Sequence, residues 1–507
     1  MALLASIVLL GRPALAATTL VVDDDGLASL TDCNALTAAF PTITLAIAAA
    51  AAGDTIKVCP GVYAEQVQVT KTLTLLGAKA GVDARTRALV VTDESTIDSP
   101  CGPVQIMADN VTIDGFTIQG STLPDPCYLS GIWTNPGFSG TEGGHQILNN
   151  IVQNNISGIE LDSSCVNPTL VRFNLLKNNN NAGPGSGNAI QTNFGLCSGT
   201  IDRNKFSGHM SSSVLVVAAS SNLTISSNEL VPGTSEGIAL LNTTSSTISG
   251  NISLGSTSSG TIDLFGGNSG IAVSGNTLAN GMRGVWVENP YAVYGVLPNS
   301  NISAHTNCIS GNTVAGLEVS AGGYSPTPPL DATNNWWGKS SGPMHASNSG
   351  GTGDKVIAPD NNVTVVPFVT TAPASPCPQP PPPPPPPSDQ GQEDNGHGQQ
   401  QGQNGQNNNF NFDECDSNQD NNFQDESNNV HFQATKGSAS RPTFDTGLAK
   451  ATTTGKGLNN GKEVTYVLVV TDMGIGADIY SLTLTNSSGV IYTTTGKMIS
   501  GNIKVRR

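Results

Sequence analysis

The stretch "VSGNTLANGMRGVWVEN", residues 273–289, alternates apolar and polar side chains in beats of two, and Asn or Gly ends each beat before a strand of ordinary length is complete. Alternation at period two marks a strand, while Asn and Gly mark turns. If Val285 and Val287 face a core, Trp286 and Glu288 must face outward. The beat recurs. An Asn followed two residues later by an apolar side chain stands at Asn150, Asn174, Asn204, Asn228, Asn276, Asn307 and Asn334, and Asn251 keeps the spacing with Ser253 in the apolar slot. Successive intervals are 24, 30, 24, 23, 25, 31 and 27 residues. A second beat follows each one: "GIEL" at 158, "AIQT" at 189, "VLVV" at 214, "GIAL" at 237, "TIDL" at 261, "GVWV" at 284 and "GLEV" at 316.

Periods of this size mean a repeat architecture whose unit is built of strands. One coil of short strands cannot bury its apolar face alone. Stacked coils can, with rungs about 4.8 Å apart. Asn at the corners tolerates left-handed backbone angles, and stacked Asn amides can bond from rung to rung. The expected fold is all-β, a parallel β-helix. Composition agrees: charged residues are 12 % and aromatics 5 % of the 507, with 57 glycines. So few charges do not suit a helical protein, whose outer faces are usually rich in Glu and Lys.

These residues resemble the bacterial right-handed parallel β-helix proteins of the pectin-lyase-like superfamily. "VVDDDGLASLTDC" (21–33) and "TITLAIAAAAAGDTIKVCPGVYAEQVQVTKTLTLLGA" (42–78) are similar to a first coil with its capping helix. "NNWWGKSSGPMHASNSGGTGDKV" (334–356) is similar to a closing coil, with Trp336 and Trp337 sealing the last rung. The resemblance covers residues 20–370. It implies the fold and leaves the chemistry open, because one fold hosts many functions. The Ala-rich run 42–52 has strong helix formers and stops at Gly53, so a short helix is expected to cap the open first rung.

Other segments read differently. Residues 1–16 are expected to be a signal peptide: Ala2–Leu10 is apolar and Ala14-Leu15-Ala16 offers a cleavage site. The first basic residue is Arg12, so an upstream start or a buried first strand are the alternatives. No later apolar run reaches the roughly 20 residues of a membrane span. Residues 371–429 are expected to be a disordered linker, polyproline at 376–390 and then Gln/Asn-rich. It holds nine acids and no Lys or Arg, so −9 of the net charge of −16 lies there. An acidic chain excludes sequence-independent nucleic-acid binding, which needs basic patches. Residues 430–507 alternate again and resemble a small C-terminal β-module of secreted bacterial proteins, which implies a cell-surface partner as one role. Nine cysteines without metal-ligand spacing suit disulfides. Expected pairs are Cys165–Cys197, at equivalent places on consecutive rungs, Cys33–Cys59 and Cys101–Cys127. Cys308, Cys377 and Cys415 stay unassigned.

Read down the rungs, the outward residue of the second beat is Glu160, Gln191, Leu215, Ala239, Asp263, Trp286 and Glu318. The next outward position is Asp162, Asn193, Leu241, Phe265, Glu288 and Ser320. The candidate site for a polysaccharide is therefore Glu160, Asp162, Asp263, Phe265, Trp286, Glu288 and Glu318, with the aromatics as stacking platforms. An outer face must be polar somewhere and single exposed aromatics are ordinary, so a plain solvated face is the competing reading. Asp263 and Glu288 on adjacent rungs would repel unless a proton or cation lies between them, which suggests an acid–base pair or a Ca2+ site, unless the side chains diverge. No other cofactor is expected. Catalytic signatures of the superfamily are missing: "GHG" occurs only at 396–398, inside the low-complexity tract, and there is no Arg-Ile-Lys or Asp-Pro-His. Arg203 with Asp202, Arg283 near Trp286, and Glu142 with His145 are weaker candidates, better explained as ion pairs or turns. "DSNQDNN" at 416–422 has only the first half of a calcium loop. The expected function is polysaccharide binding or processing outside the cell, and the alternative is a non-catalytic adhesion protein with the solenoid as a rigid spacer.

Overall fold

The computed structural model describes residues 17–506, apart from 124–126, 128, 135–141, 232–234, 256–258, 291–294, 326, 374–376, 378–392, 402–406, 414–419, 436–437, 439–442, 446–449 and 472–478. The expected signal peptide and Cys415 lie outside the described residues, as do Asp416 and Asn418 of the calcium-loop resemblance. The chain divides into two compact units, Met1–Pro380 and Pro381–Arg507.

The first unit winds three parallel sheets of 14, 12 and 10 strands into a β-helix. Most strands are only three to five residues long, as period-two beats cut by turns demand. In the second sheet Ile132, Ile159, Ile190, Val214, Ile238, Ile262, Val285 and Leu317 pair rung to rung, and every one is buried. Such columns continue in one apolar core that runs from Val22 to Val365. Burying each branched side chain contributes roughly 1.5–3 kcal/mol. No single coil could collect that alone.

Strand β1 (Thr19–Val22) starts the first sheet, and helix α1 (Ile43–Ala49) covers the first coil with Ile43, Ala46 and Ile47 buried. The helix ends earlier than Gly53. Thr42 caps its start by accepting from the Leu45 N–H, and the Glu65 carboxylate accepts from the N–H groups of Ile43 and Thr44. Lys71 donates to the carbonyls of Ile47, Ala48 and Ala50 at the other end. An anion at the N-terminus and a cation at the C-terminus both oppose the helix dipole.

Turns between the first and third sheets are held by an asparagine ladder: Asn150, Asn174, Asn204, Asn228, Asn251, Asn276, Asn307 and Asn335. Each backbone N–H donates to the Oδ1 of the next Asn at 2.8–3.0 Å. Two expectations change here. The last member is Asn335, not Asn334, because Asn334 occupies the left-handed position. That position is separate from the ladder: Asn149, Phe173, Arg203, Ser227, Gly250, Gly275, Thr306 and Asn334, each one residue before a ladder Asn, have φ from +51 to +65°. The amide stacking and the left-handed angle thus belong to neighbouring residues.

Trp337 lies in the core of the last coil, whereas Trp336 faces outward and is buried beneath Cys308, Cys377, Val369 and Ala372. Only Trp337 seals the coil from inside. Four disulfides are present: Cys33–Cys59, Cys101–Cys127, Cys165–Cys197 and Cys308–Cys377. The first three match the expected pairs, and the fourth joins two cysteines that the sequence left unassigned. Such bonds fit an oxidising compartment. No helix among the described residues is long and apolar enough to cross a membrane.

The second unit is a nine-stranded antiparallel sheet. Pairing of Phe432–Ala434 with Gly457–Asn459 closes it on itself, leaving Thr443–Asp445 outside the ring. Its core contains Phe423, Phe432, Tyr466, Leu468, Tyr480 and Leu482. Much of the expected linker 371–429 lies outside the described residues, but three of its stretches are ordered. Glu393–Gln401, Asn407–Asp413 and Asp420–Asp425 are strands of this sheet, so "GHG" at 396–398 sits within a strand. The expected last two strands are one, Gly489–Arg506.

Candidate functional site

The outer face of the second sheet carries the residues that its alternation assigns there. Strand register stacks Gln105, Trp133, Glu160, Gln191, Leu215, Ala239, Asp263, Trp286 and Glu318 in one column. Phe265, Glu288 and Ser320 follow in the next column, their N–H groups donating to Leu240, Leu264 and Val287 of the preceding coil. Facing away from the core is not the same as facing water. Glu160 is 3 % exposed and Asp162 and Asp263 are 0 % exposed, whereas Phe265, Trp286, Glu288 and Glu318 are half-buried. The expectation that all five carboxylates meet solvent is corrected for those three.

Register also divides the seven residues into two groups. From Glu160 to Asp263 is four rungs, about 19 Å at the usual strand spacing. Leu215 and the buried Ala239 and Leu241 lie between them. Asp162 accepts from the backbone N–H groups of Asn193, Phe194 and Gly195, so it holds the turn of the next coil. Glu160 accepts from the side-chain amides of Asn193 and Gln191. Burial, with the Asp162 charge added, pushes its pKa up to about 7.

The upper group is compact. Asp263 Oδ2 accepts from Ser259 Oγ at 2.6 Å. Its Oδ1 is buried and meets no N–H or O–H donor, and the Glu288 carboxylate acts on the same group. Burial first and the Glu288 charge second raise the Asp263 pKa well above the ordinary carboxylate range. The two acids therefore share a site in which one proton is strongly favoured. One rung on, the Arg283 guanidinium lies 4.0 Å from the centroid of the Trp286 ring and donates to Glu318 at 2.6 Å. Trp286 Nε1 donates to Ser320 Oγ at 3.1 Å. Its indole is thus fixed, and one ring face is taken by Arg283. A sugar can stack only on what Arg283 leaves open. Arg283, which the alternation does not mark, is the residue that sets the ring's orientation, and Ser259 supports Asp263. No pattern in the sequence singles out either contact.

Of the weaker candidates, Arg283 joins the Trp286 group, and the other two resolve as structure. Asp202 pairs with both Arg172 and Arg203, at 2.8 and 3.1 Å. His145 is wholly buried, neither ring nitrogen has a hydrogen-bond partner, and burial lowers its pKa to about 4. It forms no pair with Glu142. Among the described residues the one group of three Asp, Glu, His or Cys side chains close enough to share a metal is Asp23 with Cys33 and Cys59, and those cysteines are bonded to each other.

Residues 188–352 match the family described as "Right handed beta helix region". The fold is similar to pectate lyase Pel9A (10 % identity, 71 % of this chain and 83 % of that one, TM-score 0.29). It is also similar to the DFA-IIIase of Arthrobacter chlorophenolicus A6 without its lid (14 %, 63 % and 89 %, 0.28). A third similar structure is the enzymatically active domain of bacteriophage CBA120 tailspike protein 2 (11 %, 92 % and 75 %, 0.29). No curated protein matches the chain. With three parallel sheets coiled about one apolar core, the first unit is a parallel β-helix, and residues 188–352 within it match the right-handed β-helix family.

Proposed function

We propose that the protein binds an extracellular polysaccharide on the outer face of the second sheet, between Asp263 and Ser320. The observation that carries this reading is Trp286, a half-buried indole locked by Arg283 and Ser320 beside two carboxylates on neighbouring coils. A pre-set ring loses little freedom when a sugar stacks on it. Glu160 and Asp162 leave the site in this proposal, since they hold the coil four rungs away. Cleavage would need Glu288, the half-buried member of the acid pair, as proton donor. Calcium is the competing occupant of the Asp263–Glu288 gap.

The test is affinity electrophoresis of wild type and Trp286→Ala against a panel of polysaccharides, with and without EDTA, alongside a reducing-end assay. Binding lost in the variant supports the reading, and new reducing ends that vanish in Glu288→Gln extend it to catalysis. If no polysaccharide retards the wild type, the site is not a sugar site. The spacer reading would then gain, because Asp162 and Glu318 are already committed to contacts within the coil.

A further inference from the structure

We infer that the site, if it binds glycans as proposed above, takes an amino-sugar chain bearing protonated amines and rejects polyuronates. Around Trp286 the carboxylates are Glu236, Asp263, Glu288 and Glu318, and the cation is Arg283. Arg283 is already neutralised by Glu318 at 2.6 Å. Glu236 is held by Ser212 at 2.6 Å and adds its charge to the field at Asp263. A uronate would bring a further negative charge to a face whose one cation among the described residues, Arg283, is already paired, and like charges at close quarters destabilise the complex.

The buried Asp263 Oδ1 supplies a second, independent observation. It is wholly buried, no N–H or O–H donor reaches it, and the Glu288 charge acts on the same carboxyl group. A neutral donor would satisfy that oxygen, but the repulsion between the two carboxylates is relieved only by a proton or a cationic group. In the free protein the raised Asp263 pKa favours a proton on the pair. An ammonium group on a sugar stacked at Trp286 would meet Glu288 from the solvent side and stabilise the pair's negative charge. A neutral hydroxyl offers much less.

Isothermal titration calorimetry at low salt would compare a glucosamine oligomer, its N-acetylated counterpart and an oligogalacturonate, using the full chain. The glucosamine oligomer is expected to bind roughly fivefold more tightly than the acetylated one, the upper end for a solvent-accessible ion pair. That advantage should disappear in Glu288→Gln and in high salt, with the far-ultraviolet circular dichroism unchanged. Trp286→Ala should weaken both oligomers alike. Equal affinity for the charged and acetylated oligomers, or a preference for oligogalacturonate, overturns the amine assignment while leaving a sugar site. Failure of all three to bind overturns the amine assignment, and with it the sugar site if the wider polysaccharide panel is negative too.

Discussion

Replacing Asn228 by Ala tests whether the asparagine ladder holds the coils together or merely decorates their corners. Its side chain is 1 % exposed and makes four hydrogen bonds. Oδ1 accepts from the backbone N–H of Asn204 at 2.8 Å and from its amide at 3.1 Å. Nδ2 donates to the Ile201 carbonyl and to Asn251 Oδ1, both at 2.9 Å. The Asn204 amide keeps the Val171 carbonyl as a partner, Asn251 Oδ1 keeps the Asn228 N–H, and the Ile201 carbonyl stays in the parallel ladder with the Thr224–Ser226 strand, so the group left without a partner is the Asn204 N–H. Such a buried orphan costs about 1–3 kcal/mol, and the lost bond to the Ile201 carbonyl adds about 1 kcal/mol, so the variant should lose about 3 kcal/mol. Asn228→Asp should lose a similar amount, because it abolishes both donor bonds. Ser227→Gly next door is the control: relieving a left-handed angle of +55° is worth about 1–2 kcal/mol against a backbone entropy cost of about 0.5–1 kcal/mol. It should be neutral or slightly stabilising. Guanidinium unfolding followed by tryptophan fluorescence gives the global value, and hydrogen exchange at Asn204 detects loss confined to neighbouring coils. A loss below 1 kcal/mol for Asn228→Ala, with unchanged exchange at Asn204, would refute the ladder's role.

Three further outcomes follow from the same contacts. Glu94→Gln removes the partner of Arg87 in an ion pair of 3.0 Å whose side chains are 0 and 4 % exposed; unfolding should fall by about 3–5 kcal/mol, with most of it recovered when both become apolar. Cys377→Ser opens a disulfide of sequence separation 69; the loss should be about 4 kcal/mol, and Trp336 fluorescence should become quenchable by iodide. On acidification the buried His145 and His209, both with pKa near 4 against an ordinary 6.5, let the unfolded chain bind protons first, so their stability is intact above pH 6.5 and lost towards pH 4. Glu160, raised to about 7 from 4.5, works in the opposite sense: its stability is present below pH 4.5 and lost as pH rises through 7. Glu160→Gln should therefore make the fall in melting temperature between pH 7 and 4.5 steeper than in wild type, and an unchanged slope would contradict the assignment.

The inward columns were legible because parallel coils repeat the same alternation: Ile159, Ile190, Ile238 and Ile262 occupy the places that "GIEL", "AIQT", "GIAL" and "TIDL" give them. The outward side was legible only as a direction. Whether a loop lies over Asp263 or leaves Glu288 half-exposed depends on the path of segments with no period, and alternation carries no record of that path. Asn334 was mistaken for Asn335 because both neighbours are Asn, and only backbone angle decides which stacks. The strands at 393–425 were hidden by composition. Phe410 and Phe412 repeat at period two, but Gln, Asn and Gly around them are poor strand formers, and tertiary pairing overrides that local preference.

Asp162 and Asp263 point the same way from the same sheet and are equally buried, yet they differ in what satisfies them. Asp162 takes three backbone N–H groups, so its charge has a structural use. Asp263 takes the Ser259 hydroxyl and, at 3.4 Å, the Gly260 N–H on Oδ2, no donor meets its Oδ1, and the Glu288 charge acts on the group. Its raised pKa means that, above the ordinary carboxylate range, the folded state resists an ionisation that the unfolded chain accepts freely, so Asp263 destabilises the coil as pH rises. Asp263→Asn removes that cost, keeps an oxygen for Ser259 and offers an N–H to Glu288. The variant should be more stable than wild type at pH 7, by about 1 kcal/mol, with the difference shrinking as pH falls towards 4. If the pair serves a ligand, amino-sugar affinity should fall while the melting temperature rises. A destabilised Asp263→Asn at neutral pH would mean that the carboxylate supports the coil after all, and the reason for assigning it to a site would be gone.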